Sequence, residues 1–500
     1  MTLEFTPPQN GTAGALHHAR AAARNSAVAD KATGQLRDAL SGSVDLQRIL
    51  LKAAAGAGKS YVLKTMVADA VMHHRCVRVS VIAFQNRQLW PIATALGKAL
   101  GKDQVCLFSS ERAYGDIPAD VHRHAQVATS TSAIPSGCTV VVATSHKLGA
   151  IGEPKRLLQY LGTGANGEAP FDVLFVDEAW QLPHHRFDRV AGLAPITVGV
   201  GDVGQLPPIE IGTNPWRGDS GYNPYRAWPT QYDNDPHTWS AELPAVWRPA
   251  AEQLPLWRAF YPEWGELNCV AATGDRAVHT DGLDGLAASV WRQVASGVPT
   301  LLEVDGLEQP EAADVDLPLI TFVEHLVDEL FAVDFRLDTC QYDAAGSPNG
   351  EILTRKPGDE TDDPLVAILA TRNQAVDDAT DAVERLREKH GLADTDLMAS
   401  TVDSWQGQTN GITIALHPLT GASELDEFNS AFGRLAVTCT RATHGLLMVA
   451  RPGLDTLLNE APARPGTPFG EPGNRHLPRQ THQRILATFA RGTINVISEK

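Results

Sequence analysis

The sequence predicts an α/β chain built on two mainly parallel sheets, each covered by helices on both faces. Two observations carry this expectation. Short β-branched runs, "VRVSVIAF", "CTVVVATS", "FDVLFVDE" and "PITVGVGD", alternate with helical stretches such as "NRQLWPIATALGKAL". That alternation is the signature of βαβ units with buried strands. The chain is also 500 residues long, more than one core usually serves, so two large domains are expected.

Taken in order, residues 1–41 form an N-terminal extension, a loose start followed by one or two helices. Residues 42–242 hold the first and clearer α/β series. Within it, the stretch from about 213 to 242 is rich in Pro, Trp, Tyr, Asn and Asp and predicts a long loop or junction. A weaker series spans 243–455, with "LVAILATRNQAVDDATDAVERLREKHG", "LMASTVDSWQGQTNGITIAL" and "GRLAVTCTRATHGLLMVARPG" as its clearest parts. Between 270 and 360 only the helix-like "LITFVEHLVDELFAV" stands out, before a Gly/Pro/Asp-rich loop near 343–363. Residues 456–500 read as a peripheral tail with a last helix at "THQRILATFA".

Composition narrows the function. At 43% hydrophobic and 20% charged the chain is an ordinary globular one, and no apolar run reaches the length of a membrane span. The opening "MTLEFTPPQNGTAG" lacks the basic-then-apolar pattern of a secretory signal, which predicts a cytoplasmic location. The six cysteines have no C-x-x-C spacing and predict buried thiols rather than disulfides or zinc. The His-His pairs beginning at His17, His73 and His184 lack companion ligands and are expected at the surface. A net charge of −17 disfavours broad gripping of duplex DNA through its phosphates, but not a single strand held in a narrow cleft.

Three stretches carry chemistry. "LLKAAAGAGKSYVLKTM" has the parts of a phosphate cradle: a strand, a slim turn, then Lys-Ser opening a helix. Gly56, Ala57 and Gly58 let the backbone curl so that its amides converge. Lys59 can reach the outer phosphates, and Ser60 can offer its hydroxyl to Mg²⁺. Ala53 replaces the usual first glycine of that motif. An Ala/Gly turn with no nucleotide is the bland alternative. "VLFVDEAWQLP" sends a buried strand into Asp177, placed to hold the metal, and Glu178, placed to polarise a water. Two solvated acids capping a helix are the alternative there, weakened by the Lys-Ser loop upstream. "VGVGDVGQLPPIE" ends another strand near Gln205, whose amide can bond a γ-phosphate and lose that bond on hydrolysis.

In this order, "AAAGAGKS", "VDEAW", "GDVGQLPP", "AVWRPA", "TVDSWQGQ" and "AVTCTRAT" resemble the motif series of superfamily 1 helicases, over roughly Leu46 to Arg451. The "TVDSWQG" wording is most similar to the branch with the nonsense-mediated-decay helicases. The resemblance implies two RecA-like domains with ATP and Mg²⁺ between them and single-stranded nucleic acid across the top. By it, Lys59 and Ser60 bind phosphate and metal, Asp177 completes the metal site, Glu178 is the base and Gln205 the γ-phosphate sensor. Arg248 and Arg441 match the two arginines that such enzymes bring from the second domain. A guanidinium arriving across the cleft stabilises the spread charge of phosphoryl transfer.

The same resemblance implies strand contacts at Asn86 and Thr144 (with Ser145), then at Thr371 and Arg372 (with Gln374), Thr401 (with Ser404) and Gln406. Trp405 is expected in the core, with stacking on a base as the alternative. Two departures stand out. Thr409 occupies a position where relatives often carry a ribose-binding Glu. The adenine-reading Gln is either Gln35 or Gln47. The expected activity is an ATP-dependent translocase or helicase on single-stranded nucleic acid, DNA before RNA, with translocation 5′ to 3′. The alternative is an ATPase switch that loads or remodels a complex with protein partners. A binding protein with a dead site is disfavoured because the acids and arginines are all present.

Overall fold

The computed structural model describes residues 3–9, 14–204, 208, 223–312, 315–361, 363–405, 407–426, 429, 432–461 and 478–496. The first sheet has eight strands: β1 (Arg48–Ala53), β2 (Val79–Ala83), β3 (Val105–Phe108), β4 (Gln126–Ala128), β5 (Val140–Thr144), β6 (Val173–Asp177), β7 (Ile196–Gly201) and β8 (Thr238–Leu243). Their order is β4-β3-β5-β2-β6-β7-β1-β8, and every pairing is parallel. All eight therefore end on one rim, where ligands of open α/β sheets bind.

Further along come β9 (Ala245–Val246), β10 (Asn268–Cys269), β11 (Arg276–His279), β12 (Thr300–Asp305), β13 (Arg336–Tyr342) and β14 (Pro348–Arg355). After them follow β15 (Val366–Ala370), β16 (Leu397–Thr401), β17 (Asn410–Leu416), β18 (Ala442–Ala450) and β19 (Ala490–Asn495). The second large sheet runs β16-β15-β17-β18-β12-β19, again all parallel. Strands β9 and β10 pair with each other, and β11, β13 and β14 make a small antiparallel sheet. Two parallel, helix-covered sheets are the RecA-like arrangement expected of the sequence.

Alternation along the strands explains the layers. Ile49, Leu51, Val79, Val81, Val173 and Phe175 join one core. Their neighbours Leu50, Ile82, Leu174 and Val176 join another on the opposite face. Side chains in a strand point alternately to its two faces, so a strand buried on both sides needs an unbroken apolar run. The first of these cores also takes in Leu301, Ala415, Leu446 and Met448 from the second sheet. One continuous apolar layer therefore lies between the two sheets.

The structure differs from the expectation in several places, among them the loop expected near 343–363, which holds β14 (Pro348–Arg355). The stretch 456–500 is not only peripheral, because β19 pairs with β12 over six residues, Thr300↔Ala490 to Asp305↔Asn495. Only Ile494 among the six residues of β19 is a large apolar side chain, so its alternating burial leaves a faint trace in the sequence. The helix α1 (His18–Ser41) within 1–41 packs on β1 and β8. The Trp- and Tyr-rich junction contains β8, the edge partner of β1. The His184 pair is not wholly at the surface: His184 is 6% exposed and stacks on Tyr232. All six cysteines are free. Among the described residues, no helix is long and apolar enough to cross a membrane.

Candidate functional site

The order β6-β7-β1 brings the three sequence signals together. Strand β7 lies between β1 and β6, with Lys52 opposite Gly201 and Asp177 opposite Val200. The Lys-Ser loop, the Asp-Glu pair and Asp202 thus sit side by side at one rim. Gly56 (φ +73°) and Gly58 (φ +91°) take left-handed conformations open to glycine, and Lys59 starts helix α2 (Lys59–Met72). The helix N-terminus then points unpaired amides, and the positive end of its dipole, into the loop.

Lys59 Nζ lies 2.8 Å from Glu178 Oε1, with both side chains largely buried. Burial alone would lower the lysine pKa, but Glu178, Asp202 and Asp177 outweigh it and hold the ammonium charged. Glu178 has φ 50° and ψ 47°, one of two non-glycine residues with a positive φ among those described. Such a residue costs about 1–3 kcal/mol and persists where its surroundings fix it. Asp177 is pushed up to about 7, first by burial and then by Glu178, against the pull of Lys59. Its Oδ1 is buried without a hydrogen-bond partner among the described residues.

The structure corrects the expected origin of Arg248. It was to arrive from the second domain, yet its segment is fastened to the loop itself. The Trp247 N–H donates to Gly56 O at 2.8 Å. A Cβ at Gly56 would meet the Arg248 Cβ at 2.4 Å. The indole Nε1 of Trp257 donates to Ala55 O at 2.9 Å. The Tyr261 hydroxyl accepts from the Ala55 N–H (3.2 Å) and donates to Asp202 Oδ1 (2.8 Å). The Arg248 guanidinium reaches out instead, donating from Nη1 to Thr440 O at 2.9 Å. It bridges the loop to the "TCTRAT" turn of the second sheet.

Arg441 does come from that turn. It is 1% exposed, donates to Val437 O and Gln408 O, and buries Nη2 without a partner among the described residues. Burial and then the nearby Arg248 charge lower its pKa to about 9, while Asp202 and Glu178 act in the opposite sense. Two guanidiniums, a lysine and three acids therefore share one crevice. A cavity of about 340 Å³ opens onto it, lined by Lys59, Ser60, Arg248, Thr409 and Thr443 among others.

A second cleft, about 550 Å³, is lined by Phe84, Asn86, Thr144, His146 and Lys147 among others. Asn86 and Thr144 meet there because β2 and β5 are neighbours, with Ala83 opposite Thr144. Ser145 is buried, with 3% exposed. In the second sheet, Ala370 pairs with Thr401, so Thr371 and Arg372 lie beside Thr401 at its rim. The Thr401 hydroxyl closes a turn with Ser404. Trp405 is 5% exposed and donates to Asn410 Oδ1, a core residue as expected. Gln205 and Gln406 lie outside the described residues.

Neither candidate for adenine reading reaches the loop. Asn25 of α1 touches Ala57 O, and Gln35 lies ten residues further on, about 15 Å along the helix. Gln47 lies at the opposite end of β1 from the loop, about 20 Å from Ala53. Sequence reasoning missed Asn25, which donates to both Ala57 O (3.0 Å) and Ala245 O (2.7 Å) and accepts from the Ala245 N–H (2.8 Å). It also missed Trp257 and Tyr261. All three act between segments far apart in the sequence, where no local pattern signals them.

No protein-family profile and no curated protein matches the chain. Solved structures similar to it include the PRRSV helicase (14% identity, 84% of this chain, 56% of that one, TM-score 0.36). Two others are the DUF1998 helicase MrfA bound to DNA (9%, 99%, 53%, 0.43) and the Escherichia coli DEAH/RHA helicase HrpB (10%, 86%, 43%, 0.40). The chain spans about half the length of each. At these scores the likeness carries no argument, and the reading of the site rests on its own geometry.

Proposed function

We propose that the chain is a nucleoside-triphosphate-driven translocase of the superfamily 1 helicase type, using ATP and acting on single-stranded nucleic acid. The observation that carries this reading is the shared crevice: Lys59, Glu178, Asp177 and Asp202 from one sheet, Arg441 from the other, and Arg248 bridging them.

Phosphate oxygens arriving at the loop amides compete with Glu178 for the Lys59 ammonium. The freed Glu178 carboxylate can then accept a proton from a water aligned with the γ-phosphorus. Arg441 and Arg248 stand ready for the charge that spreads over the equatorial oxygens in the transition state. The residues present also fit a divalent cation. Asp177 offers a buried carboxylate oxygen with no other partner among the described residues, and Ser60 offers a hydroxyl in the first turn of α2. Mg²⁺ ordinarily needs only one or two such protein oxygens beside phosphate and water. It would supply charge neutralisation at the phosphates.

The second cleft, at Asn86 and Thr144, and the rim at Thr371, Arg372 and Thr401 are the proposed track for the strand. Its hydroxyl and amide groups suit phosphate contacts that position without reading sequence. DNA is proposed before RNA, with translocation 5′ to 3′. The test is Lys59→Ala. Phosphate release stimulated by single-stranded DNA should fall at least a hundredfold, and release at the wild-type rate overturns the site. Strand displacement on tailed duplexes then separates an unwinding enzyme from a switch that only remodels complexes.

A further inference from the structure

The cavity at the loop divides into two halves of different chemistry. Gly56, Gly58, Lys59, Ser60 and Arg248 form the anionic-ligand half. The rest of the lining is Tyr61, Trp247, Thr409 and Thr443. No carboxylate or carboxamide is among the described residues that line it. A base edge is read by groups that donate and accept in a fixed pattern, above all Asn, Gln, Asp and Glu. Aromatic rings hold a base by its face, which all four bases share.

The two aromatics suit that role for different reasons. Tyr61 follows Ser60 directly, in the first turn of α2, and is 71% exposed. Its ring stands in solvent beside the phosphate half, with no core to explain it. Trp247 is fixed instead. Its N–H is tied to Gly56 O. Its ring lies edge-on to Tyr342, with centroids 6.4 Å apart, and meets the turn at Gly346. It makes a rigid wall beside a movable ring. The threonines come from the second sheet's loops. The Thr443 hydroxyl lies 3.1 Å from Asn410 O and 2.7 Å from His444 Nδ1, so its proton is engaged and its oxygen is left to accept. Both threonines are only half-buried, so water can replace a missing sugar hydroxyl at small cost. Strong discrimination needs buried polar groups left unpaired by the wrong ligand.

Resting on the reading of this crevice as a nucleotide site, we propose that it accepts nucleoside triphosphates without regard to base, and deoxyribose as well as ribose. Tyr61 and Trp247 form the base platform, and Thr409 and Thr443 face the sugar.

The experiment measures phosphate release by the full chain with single-stranded DNA and each of ATP, GTP, CTP, UTP and dATP. The kcat/KM values should lie within about tenfold of one another. Tyr61→Ala should raise KM about tenfold for all five with kcat kept, in line with the loss of one base–aromatic stack, while Tyr61→Phe should restore it. A preference for ATP above a hundredfold, or an unchanged KM in Tyr61→Ala, overturns this proposal but leaves the motor reading intact. Absence of turnover with every nucleotide overturns both.

Discussion

At Gly56 two constraints coincide. The backbone has φ +73°, and a Cβ would press into the Arg248 Cβ and lie 3.3 Å from its amide nitrogen. At Gly58 only the first applies, since φ is +91° and nothing stands within 4 Å. The two glycines, both expected from the sequence to let the backbone curl, should therefore respond differently. Gly58→Ala is expected to cost about 1–2 kcal/mol from backbone strain alone. Gly56→Ala should cost clearly more, because the Trp247–Arg248 segment must be displaced as well. Urea denaturation of both variants measures the difference, and equal losses would show that the contact with Arg248 is soft. The small-residue turn made both glycines visible in the sequence but not this inequality. What stands opposite Gly56 comes from a segment far along the chain, beyond the reach of any local pattern.

At the scale of elements, the clearest handle is the seam between β18 and the small antiparallel sheet. His444 on β18 is 2% exposed. Its Nε2–H donates to Asp338 O (3.0 Å), and its Nδ1 accepts from the Thr443 hydroxyl (2.7 Å). Burial first, and then the Arg276 charge, push its pKa down to about 3. A depressed folded-state pKa means that stability is fully present above about pH 6.5. It is lost as pH falls toward 3, because only the unfolded chain can take the proton. Between pH 7.5 and 5.5 this one group should remove about 1.4 kcal/mol. A His444→Gln variant, which keeps a donor for Asp338 O, should lose that part of the pH dependence. If its denaturation midpoints follow pH as steeply as the wild type's, the imidazole is not the group responsible. Strands such as β6 and β7 were legible from short, largely apolar runs, buried along their whole length. The strand β14, exposed along nearly its whole length, and the edge strand β19 were not. Periodic burial is what writes a strand into a sequence: β14 has almost none, and β19, though buried at alternate positions, marks them only with Ala490, Gly492 and Ile494.

For the whole molecule, the two arginines separate two kinds of role. Arg441 is held by carbonyls of its own lobe and buries one guanidinium nitrogen without a partner among the described residues. Arg248 ties the loop of the first sheet to Thr440 of the second. Arg441→Ala is expected to lower turnover about 10²–10³-fold with nucleotide affinity little changed. Arg248→Ala should weaken nucleotide binding as well, because it also removes the guanidinium that ties the two sheets together at Thr440 and lines the loop cavity. Comparing KM with kcat for the two variants tests this, and identical profiles would remove the distinction. Which side chains stand at strand ends was already written in the chain. Lys59, Ser60, Asp177, Glu178 and Arg441 follow local patterns of strand, turn and helix, each complete within a short stretch. Long-range packing settled the rest: that β7 lies between β1 and β6, and that Arg248 rides on the loop rather than across from it. It also settled that Asn25, Trp257 and Tyr261 clamp the loop, and that Tyr61 and Trp247 share its cavity. Those relations join segments remote from one another in the sequence. The apolar layer between the sheets brings such segments together, and no periodicity within either segment encodes the meeting.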